Sequence, residues 1–205
     1  CQTYVGEDFI GQSEIKENMN KIKFIQEELA EKNIQFLFIL APGKASIYPE
    51  FMPPEYDTAQ VDSTNYNVYQ HELKKAQVNH IDFINYFKIR KPELKYPVFP
   101  KNGVHWSGYA AGYATDTMFK YLEFLSGQSL RSYTYSEGEV TNKDFRFTDN
   151  DIGDSYNLLF RLRAWDTYYP QVTFKEKSNK PKLLIIGDSF TQSFYGFAPY
   201  FQNTF

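Results

Sequence analysis

Apolar side chains recur every three or four positions in three segments of the chain, which is the pattern of an amphipathic helix. The first predicted helix begins at Ser13, whose hydroxyl is a suitable cap, and the second covers residues 64–77. The third begins after Ser107 and continues to about Leu125. Their apolar faces are formed by Ile15, Met19, Ile22, Ile25 and Leu29, by Tyr66, Tyr69, Leu73 and Ala76, and by Ala111, Ala114, Met118, Leu122 and Leu125.

Short continuous apolar runs separate these helices, as is typical of strands that are covered on both faces. They lie at residues 34–40, 78–83 and 181–186. The alternation of helices and strands predicts an α/β fold with a mostly parallel sheet flanked by helices. Residues 126–180 show no clear period, and we expect them to form short strands and turns in an irregular excursion from the sheet.

The length and composition of the chain suit one globular domain. With 205 residues it can bury a sizeable core, and its 42% hydrophobic and 23% charged residues lie near the globular average. We therefore expect residues 1–205 to form a single domain. Because the sequence starts at Cys1 and stops at Phe205, shortly after its most informative motif, we expect it to be truncated at one or both ends.

Charge and residue usage narrow the possible partners. A formal charge of −3 gives no basic surface for a phosphate backbone, so nucleic acid is not an expected partner. Three His and one Cys without ligand spacing predict no metal site, and no motif predicts a cofactor. The 19% share of aromatic residues has two explanations, which are dense aromatic packing and tyrosines that stack on sugar rings.

Ser189 stands at the kind of junction that a serine nucleophile needs. The predicted strand 181–186 leads to Gly187, which permits a tight turn, and Ser189 begins the next helix, where backbone N–H groups can stabilise an oxyanion. The same Gly-Asp-Ser triplet occurs at residues 153–155, but no apolar strand precedes it, so we interpret Ser155 as a turn serine. A helix cap is the alternative role for Ser189.

A serine hydroxyl needs a base that takes its proton, and histidine is the usual base near neutral pH. His105 lies between a Pro-rich loop, residues 91–103, and the third predicted helix, where its side chain can point into a cleft. His71 falls in a charged helical stretch and His80 in a strand, and these positions favour structural or solvent-exposed roles. We therefore predict that His105 is the base, with capping of the helix as its alternative role.

Three motifs follow one another along the chain. They are Ala41-Pro42-Gly43-Lys44 with Ile47-Tyr48-Pro49-Glu50, then His105-Trp106, and finally Gly187-Asp188-Ser189-Phe190. Together they resemble the alginate O-acetyltransferase branch of the SGNH hydrolase superfamily, because His before Ser reverses the order in ordinary GDSL esterases. The resemblance implies an SGNH hydrolase-like, flavodoxin-like three-layer sandwich and acetyl transfer through an acyl-enzyme on Ser189.

The resemblance also implies partners and a location. The acceptor would be a hydroxyl group of a polysaccharide, and a membrane-bound O-acyltransferase would supply the acetyl group. The domain would lie outside the cytoplasmic membrane, in the periplasm or at the cell surface, attached by an anchor outside this sequence. Lys44 and Trp106, as members of the motifs, are expected to take part in substrate binding, and Lys44 could hold an acidic sugar.

One position departs from the family pattern. The branch has Asp two residues before the His, and this chain has Gly103 there, so the acid that orients the imidazole must come from elsewhere. The substitute is a backbone carbonyl or an acid from residues 148–154, and we place Asp151 and Asp149 ahead of Asp82 because that segment can fold over the cleft.

The oxyanion hole is harder to assign. Ordinary SGNH enzymes complete it with separate Gly and Asn blocks, and neither block is evident in this chain. The candidates are Gly187 and Asp188 beside the serine, together with Asn157.

Three functions fit these residues. The first is an O-acetyltransferase, and the second is a carbohydrate acetylesterase in which water replaces the sugar hydroxyl. The third is a non-catalytic carbohydrate-binding or assembly module on the same scaffold, which Gly103 favours because the usual acid is missing. The distance between Ser189 Oγ and the His105 ring, and a carboxylate at the far nitrogen of that ring, distinguish an enzyme from a binding module.

Overall fold

The structure is a computed structural model that describes residues 2–56, 63–175 and 180–205. It contains helices together with a parallel pair of strands, in agreement with the predicted α/β class. The chain divides into two compact units, Cys1–Lys88 and Ile89–Phe205. The expected single domain stays a prediction.

The first unit holds the first two predicted helices and the first two predicted strands. Its elements are α1 (Gln2–Val5), α2 (Gln12–Ala30), β1 (Phe38–Leu40), α3 (Lys44–Ile47), α4 (Asn65–Lys75), β2 (His80–Asp82) and the beginning of α5 (Phe83–Arg90), with short 3-10 turns at Pro49–Phe51 and Pro54–Tyr56. β1 and β2 pair in parallel, which confirms the predicted parallel arrangement, although both strands are shorter than the apolar runs.

Helix termini in this unit follow the capping rules unevenly. α4 begins after Thr64, whose hydroxyl accepts a hydrogen bond from the N–H of Asn67 at 3.1 Å. α2 begins after Gly11, at a φ of 94°, so the prediction that Ser13 caps this helix is wrong. The core between α2 and α4 consists of Ile15, Met19, Leu73 and Val78, as the helical spacing of the first three residues predicts.

The second unit contains the third predicted helix and the irregular excursion. Its elements are α6 (Gly108–Ser126), β3 (Tyr133–Thr141), α7 (Asp151–Ser155), β4 (Thr167–Phe174), α8 (Ser193–Gly196) and α9 (Tyr200–Thr204), with short 3-10 turns at Lys91–Glu93 and Ser189–Gln192. The Ser107 hydroxyl accepts from the N–H of Ala110 at 3.2 Å and caps α6, as predicted. Gly127, at a φ of 66°, ends this helix in the left-handed conformation.

The excursion is built on an antiparallel hairpin. β3 pairs with β4, with an irregularity in register between Ser136 and Glu139. β4 packs against α6, whose buried face is made of small residues such as Ala110, Ala111 and Ala114. Where short strands and turns were expected, the structure therefore has strands of nine and eight residues together with helix α7.

The segment before Ser189 differs from its prediction. Residues 181–186 form no strand, and Leu184 and Ile186 are 84% and 90% exposed. An apolar run becomes a strand only where a neighbouring strand accepts its backbone hydrogen bonds, and none pairs with this segment among the residues described. The predicted third strand is wrong for this structure, because its apolar composition alone did not determine pairing.

Aromatic side chains fill much of the second core. Trp106 packs on Phe194 at 5.4 Å between ring centroids, Phe194 on Phe201 at 5.0 Å, and Phe119 on Phe201 at 6.0 Å. This packing supports the first explanation for the high aromatic share. Across the described parts of the chain, we find no helix whose length and apolar character would let it cross a bilayer.

Candidate active site

The side chains of Ser189 and His105 meet although 84 positions separate them. The Ser189 hydroxyl lies 2.8 Å from His105 Nε2. His105 lies three residues before Gly108, the first residue of α6, and Ser189 is the first residue of the 3-10 turn Ser189–Gln192. Both residues therefore lie close to the start of a helical segment, as the sequence indicates. The Ser189 side chain is exposed, so a substrate can reach it.

The other nitrogen of the His105 ring contacts Asp151. Asp151 Oδ2 lies 2.6 Å from His105 Nδ1, and a carboxylate can only accept, so Nδ1 carries the proton. Asp151 Oδ1 accepts from the backbone N–H of Val104 at 2.9 Å and of Ile152 at 2.8 Å. With the proton on Nδ1, Nε2 presents its lone pair to the Ser189 hydroxyl, which is the tautomer of a general base.

Gly103 explains why the acid comes from α7. A Cβ at position 103 would lie 2.5 Å from Cγ of Pro100 and 3.0 Å from the carbonyl oxygen of Thr148, both shorter than normal contacts. The absence of a side chain thus lets residues 148–149 pack against the loop before His105. The carbonyl of Asn102 also accepts from the N–H groups of Ile152 and Gly153, at 3.0 and 3.1 Å, and holds the start of α7 in place.

Aromatic rings pack against His105 and against one another. The Phe190 ring lies 5.0 Å from the His105 ring and 5.6 Å from the Trp106 ring. Trp106 is only 1% exposed, so it contacts Phe190 from inside the core. Its ring packs against Phe190 and Phe194, and the expected contact between Trp106 and substrate stays a prediction.

The turn before Ser189 is held by Asp188. Its Oδ1 accepts from the N–H of Phe190 at 3.0 Å, and its carbonyl accepts from the hydroxyl of Thr191 at 2.8 Å. A Cβ at Gly187 would lie 2.6 Å from Cγ2 of Thr191, so this tight turn suits glycine. Asp188 rather than Ser189 is the helix cap, which leaves the serine hydroxyl to His105.

The family described as "SGNH hydrolase-like domain, acetyltransferase AlgX" matches residues 4–205. The chain belongs to this family. A search of curated proteins finds no match. The fold predicted from the motifs, an SGNH hydrolase-like domain, is thus confirmed.

Two solved structures resemble this member of the AlgX family. The O-acetyltransferase domain of Pseudomonas putida AlgJ is 15% identical with a TM-score of 0.60, and the match covers 85% of this chain and 62% of that one. Pseudomonas aeruginosa AlgX is 12% identical with a TM-score of 0.52, and the match covers 88% of this chain and 40% of that one. The chain therefore spans less than two thirds of either protein, and at these identities the likeness shows a shared fold.

Asp149, the other candidate acid in this AlgX-family chain, makes no hydrogen bond to His105 among the described residues. Its side chain is 1% exposed, and its Oδ2 accepts from the hydroxyl of Tyr169 at 2.7 Å and from the N–H of Gly108 at 3.3 Å. Burial raises the pKa of the Asp149 carboxyl to about 7, against the opposing effect of these donors. Of the two acids, Asp151 is the one placed to orient the imidazole.

Three further candidates have no hydrogen bond to Ser189, His105 or Asp151 among the contacts described. Asn157 is exposed in a turn after α7, at a φ of 48°, and no hydrogen bond joins it to Ser189 or His105 in the described parts of the chain. Lys44 begins α3 in the first unit. Asp82 also lies in that unit, where it accepts from the hydroxyl of Tyr66 at 3.0 Å. Roles for Asn157 and Lys44 stay predictions.

The sequence does not predict the backbone contacts that hold Asp151 in place. The N–H of Val104 and the carbonyl of Asn102 hold Asp151 and α7, but backbone groups leave no signature in a sequence. Gly103 was the available signal, since a glycine in place of the usual acid indicates that another segment approaches closely. For metals, no cluster of three His, Cys, Asp or Glu residues suited to an ion occurs within residues 2–56, 63–175 and 180–205.

Proposed function

We propose that this domain is an O-acetyltransferase that uses Ser189 as nucleophile, His105 as general base and Asp151 as the acid that orients it. The observation that carries the proposal is the continuous hydrogen-bonded chain from Ser189 Oγ through both His105 nitrogens to Asp151. Membership of the AlgX acetyltransferase family supports acetyl as the transferred group.

Acylation begins when Ser189 Oγ attacks the carbonyl carbon of an acetyl donor. The hydroxyl proton passes to His105 Nε2, and the imidazolium that forms is stabilised by Asp151 at Nδ1. Collapse of the tetrahedral intermediate breaks the bond to the leaving group, which takes the proton from Nε2. The products of this half-reaction are acetyl-Ser189 and the free, protonated leaving group, so the charge and the protons balance.

Transfer to the acceptor repeats these steps in reverse. An acceptor hydroxyl gives its proton to His105 Nε2 while its oxygen attacks the acetyl carbon of acetyl-Ser189. The intermediate then expels Ser189 Oγ, which regains a proton from Nε2 and restores the resting enzyme. For the oxyanion we propose the backbone N–H of Ser189 at the start of its 3-10 turn, with Gly187 shaping the turn. Asp188 and Asn157 are further candidates for the substrate side.

For the acceptor we propose a hydroxyl of an extracytoplasmic or cell-surface polysaccharide. The support for this substrate class is the resemblance of the three sequence motifs to the alginate O-acetyltransferase branch. The sequence resemblance adds a membrane-bound O-acyltransferase as acetyl donor, a location in the periplasm or at the cell surface, and Lys44 as a contact for an acidic sugar. An anchoring segment outside this sequence would keep the domain near its donor.

An acetylesterase is a second candidate, and the exposure of Ser189 favours it. Water that reaches the acyl-enzyme competes with the sugar hydroxyl for the same intermediate. A binding module without catalysis fits less well, because the contact between Asp151 and His105 provides the orienting acid whose absence was the argument for it.

The proposal is tested by trapping the intermediate. Incubation with p-nitrophenyl acetate, followed by rapid acid quenching and peptide mass spectrometry, should find one acetyl group on the peptide that contains Ser189. With a polysaccharide acceptor present, acetylated polymer should form faster than free acetate, whereas an esterase would yield acetate alone. An acetyl group on other peptides only, at equal rates in wild type and Ser189→Ala, would refute the role of Ser189.

A further inference from the structure

Asp149 forms a second contact between the segment at residues 148–151 and the segment at residues 105–108, which the contact between Asp151 and His105 also links. It lies two residues before Asp151, and its Oδ2 accepts from the N–H of Gly108, three residues after His105. The segment at residues 148–151 is therefore tied to the start of α6 at two points, one through Asp151 and one through Asp149. The second tie is buried, since Asp149 is only 1% exposed.

Side chains of β4 also donate hydrogen bonds to Asp149. The hydroxyl of Tyr169 donates to Asp149 Oδ2 at 2.7 Å, and that of Thr167 approaches the same oxygen at 3.5 Å. Tyr169 is itself fixed, because its oxygen accepts from the backbone N–H of Arg146 and its ring packs on the Arg146 guanidinium at 4.7 Å. Gly108 allows this close approach, since a Cβ there would lie 3.0 Å from the Tyr169 ring.

We propose that Asp149 is a positioning residue that fixes the segment carrying Asp151 to α6 and β4, and so holds the Asp151 carboxylate against His105. The proposal deepens the proposed function and rests on it, because it assigns Asp149 a role in orienting the general base. Displacement of a catalytic group by about 1 Å can lower a rate by about 100-fold, so a residue that touches no substrate can still control turnover.

The pattern of hydrogen bonds also determines which substitution should be tolerated. All three donors meet Oδ2, whereas Oδ1 has no hydrogen-bond partner within the described residues. An asparagine can place its oxygen where Oδ2 lies and keep these bonds, while alanine removes them. Burial raises the pKa of the carboxyl to about 7, so a neutral group of the same shape matches the form that the site favours at lower pH.

Two measurements on the whole chain test the proposal. The first is the kcat and KM for p-nitrophenyl acetate in Asp149→Ala and Asp149→Asn, with Asp166→Asn as control, since Asp166 is an exposed acid whose side chain accepts from Asn142. We expect Asp149→Ala to lower kcat by about 10- to 100-fold with KM nearly unchanged. Asp149→Asn should restore kcat to within about threefold of wild type, and the control should match wild type.

The second measurement is the proton NMR signal of His105 Nδ1–H, which is shifted far downfield by the short bond to Asp151. We expect this signal in wild type and in Asp149→Asn, and we expect its loss in Asp149→Ala. Circular dichroism checks that the Asp149→Ala variant is still folded. The signal does not depend on turnover. A wild type that shows it and acetylates nothing would refute the proposed function while the positioning role is still tested.

Retention of both the signal and kcat in a folded Asp149→Ala variant would overturn the proposal. If that variant does not fold, Tyr169→Phe removes the 2.7 Å donor and the acceptor of the Arg146 N–H, while the Gly108 and Thr167 donors to Asp149 remain. The proposal expects Tyr169→Phe to lower kcat and weaken the downfield signal. A folded Tyr169→Phe variant with wild-type values for both would show that Asp149 serves stability alone.

Discussion

Asp151 reaches Nδ1 of His105 at 2.6 Å from a position 46 residues later in the chain. Gly103, two residues before His105, has no room for a side chain beside Thr148. The orienting acid is thus supplied from a different segment, while the position of its carboxylate at the far nitrogen of the ring is that of a serine triad. This relationship determines four expected outcomes.

Ser189→Ala should abolish turnover of p-nitrophenyl acetate and of acetyl transfer to a polysaccharide. Removal of the nucleophile in other serine triads costs about 10⁶ in kcat, and several orders of magnitude are expected here. The melting temperature should barely change, because Asp188 caps the turn and the Ser189 hydroxyl contacts only His105 among the described residues. Ser155→Ala is the control, since Ser155 donates to the carbonyl of Ile152. Equal activity in wild type and Ser189→Ala would remove Ser189 from the mechanism.

Asp151→Asn should lower kcat by up to about 10⁴, because an amide at this position favours the wrong imidazole tautomer. Asp154→Asn is a matched control in the same helix, as Asp154 is exposed and accepts from Asn150. Steady-state kinetics with both variants separates the two positions. If the two variants retained the same activity, the imidazole would be oriented by another group.

Gly103→Asp should not improve the enzyme, although it places an acid where the sequence resemblance implies one. The new Cβ would meet Pro100 and the Thr148 carbonyl, so the segment carrying Asp151 must move. We expect a loss of stability of about 1–3 kcal/mol, typical of overpacking, and a lower kcat. Thermal unfolding and ester hydrolysis measure the two effects. Higher activity in Gly103→Asp at unchanged stability would contradict this account.

The contribution of Asp149 to the free energy of unfolding should fall as pH rises from about 4 to about 7. The pKa of Asp149 is about 7 in the folded chain, whereas an unfolded aspartate titrates near 3.9, so the folded state binds more protons in this window. The neighbouring charge of Asp151 raises the pKa further, and the donors Tyr169 and Gly108 lower it. Each unit of difference corresponds to about 1.4 kcal/mol.

Urea unfolding at several pH values measures this dependence, and Asp149→Asn should flatten it. Asp154→Asn, in contrast, should leave the slope of wild type. If wild type and Asp149→Asn showed the same dependence of stability on pH in this window, Asp149 would ionise freely in the folded chain.

Local patterns predicted the elements whose signals lie within a few residues. The Ser107 cap and the apolar face of α6 were visible in the sequence, and α4 begins one residue after the predicted start of its helix at Thr64. Gly187 and Ser189 were likewise recognised from the turn chemistry of their own segment. Such features depend on neighbouring residues and can be read without knowing what packs against them.

The sequence did not predict features that depend on contacts between residues far apart in the chain. The apolar run 181–186 predicts a strand, but strands need a neighbour, and the structure leaves Leu184 and Ile186 exposed. The choice between Asp149 and Asp151 was equally open, since the two residues are two positions apart and only the packing of residues 148–151 on Gly103 separates their roles.

The supply of the acid from α7 also changes how the site comes into being. An acid two residues before the histidine would be near the ring in any conformation of that loop, whereas Asp151 approaches only after the excursion has docked. Such contacts between distant positions carry a larger loop-closure cost and belong to the slower part of assembly. A protease cut or an insertion within residues 142–147, which lie at the surface, would therefore separate the acid from the histidine while leaving nucleophile and base in place.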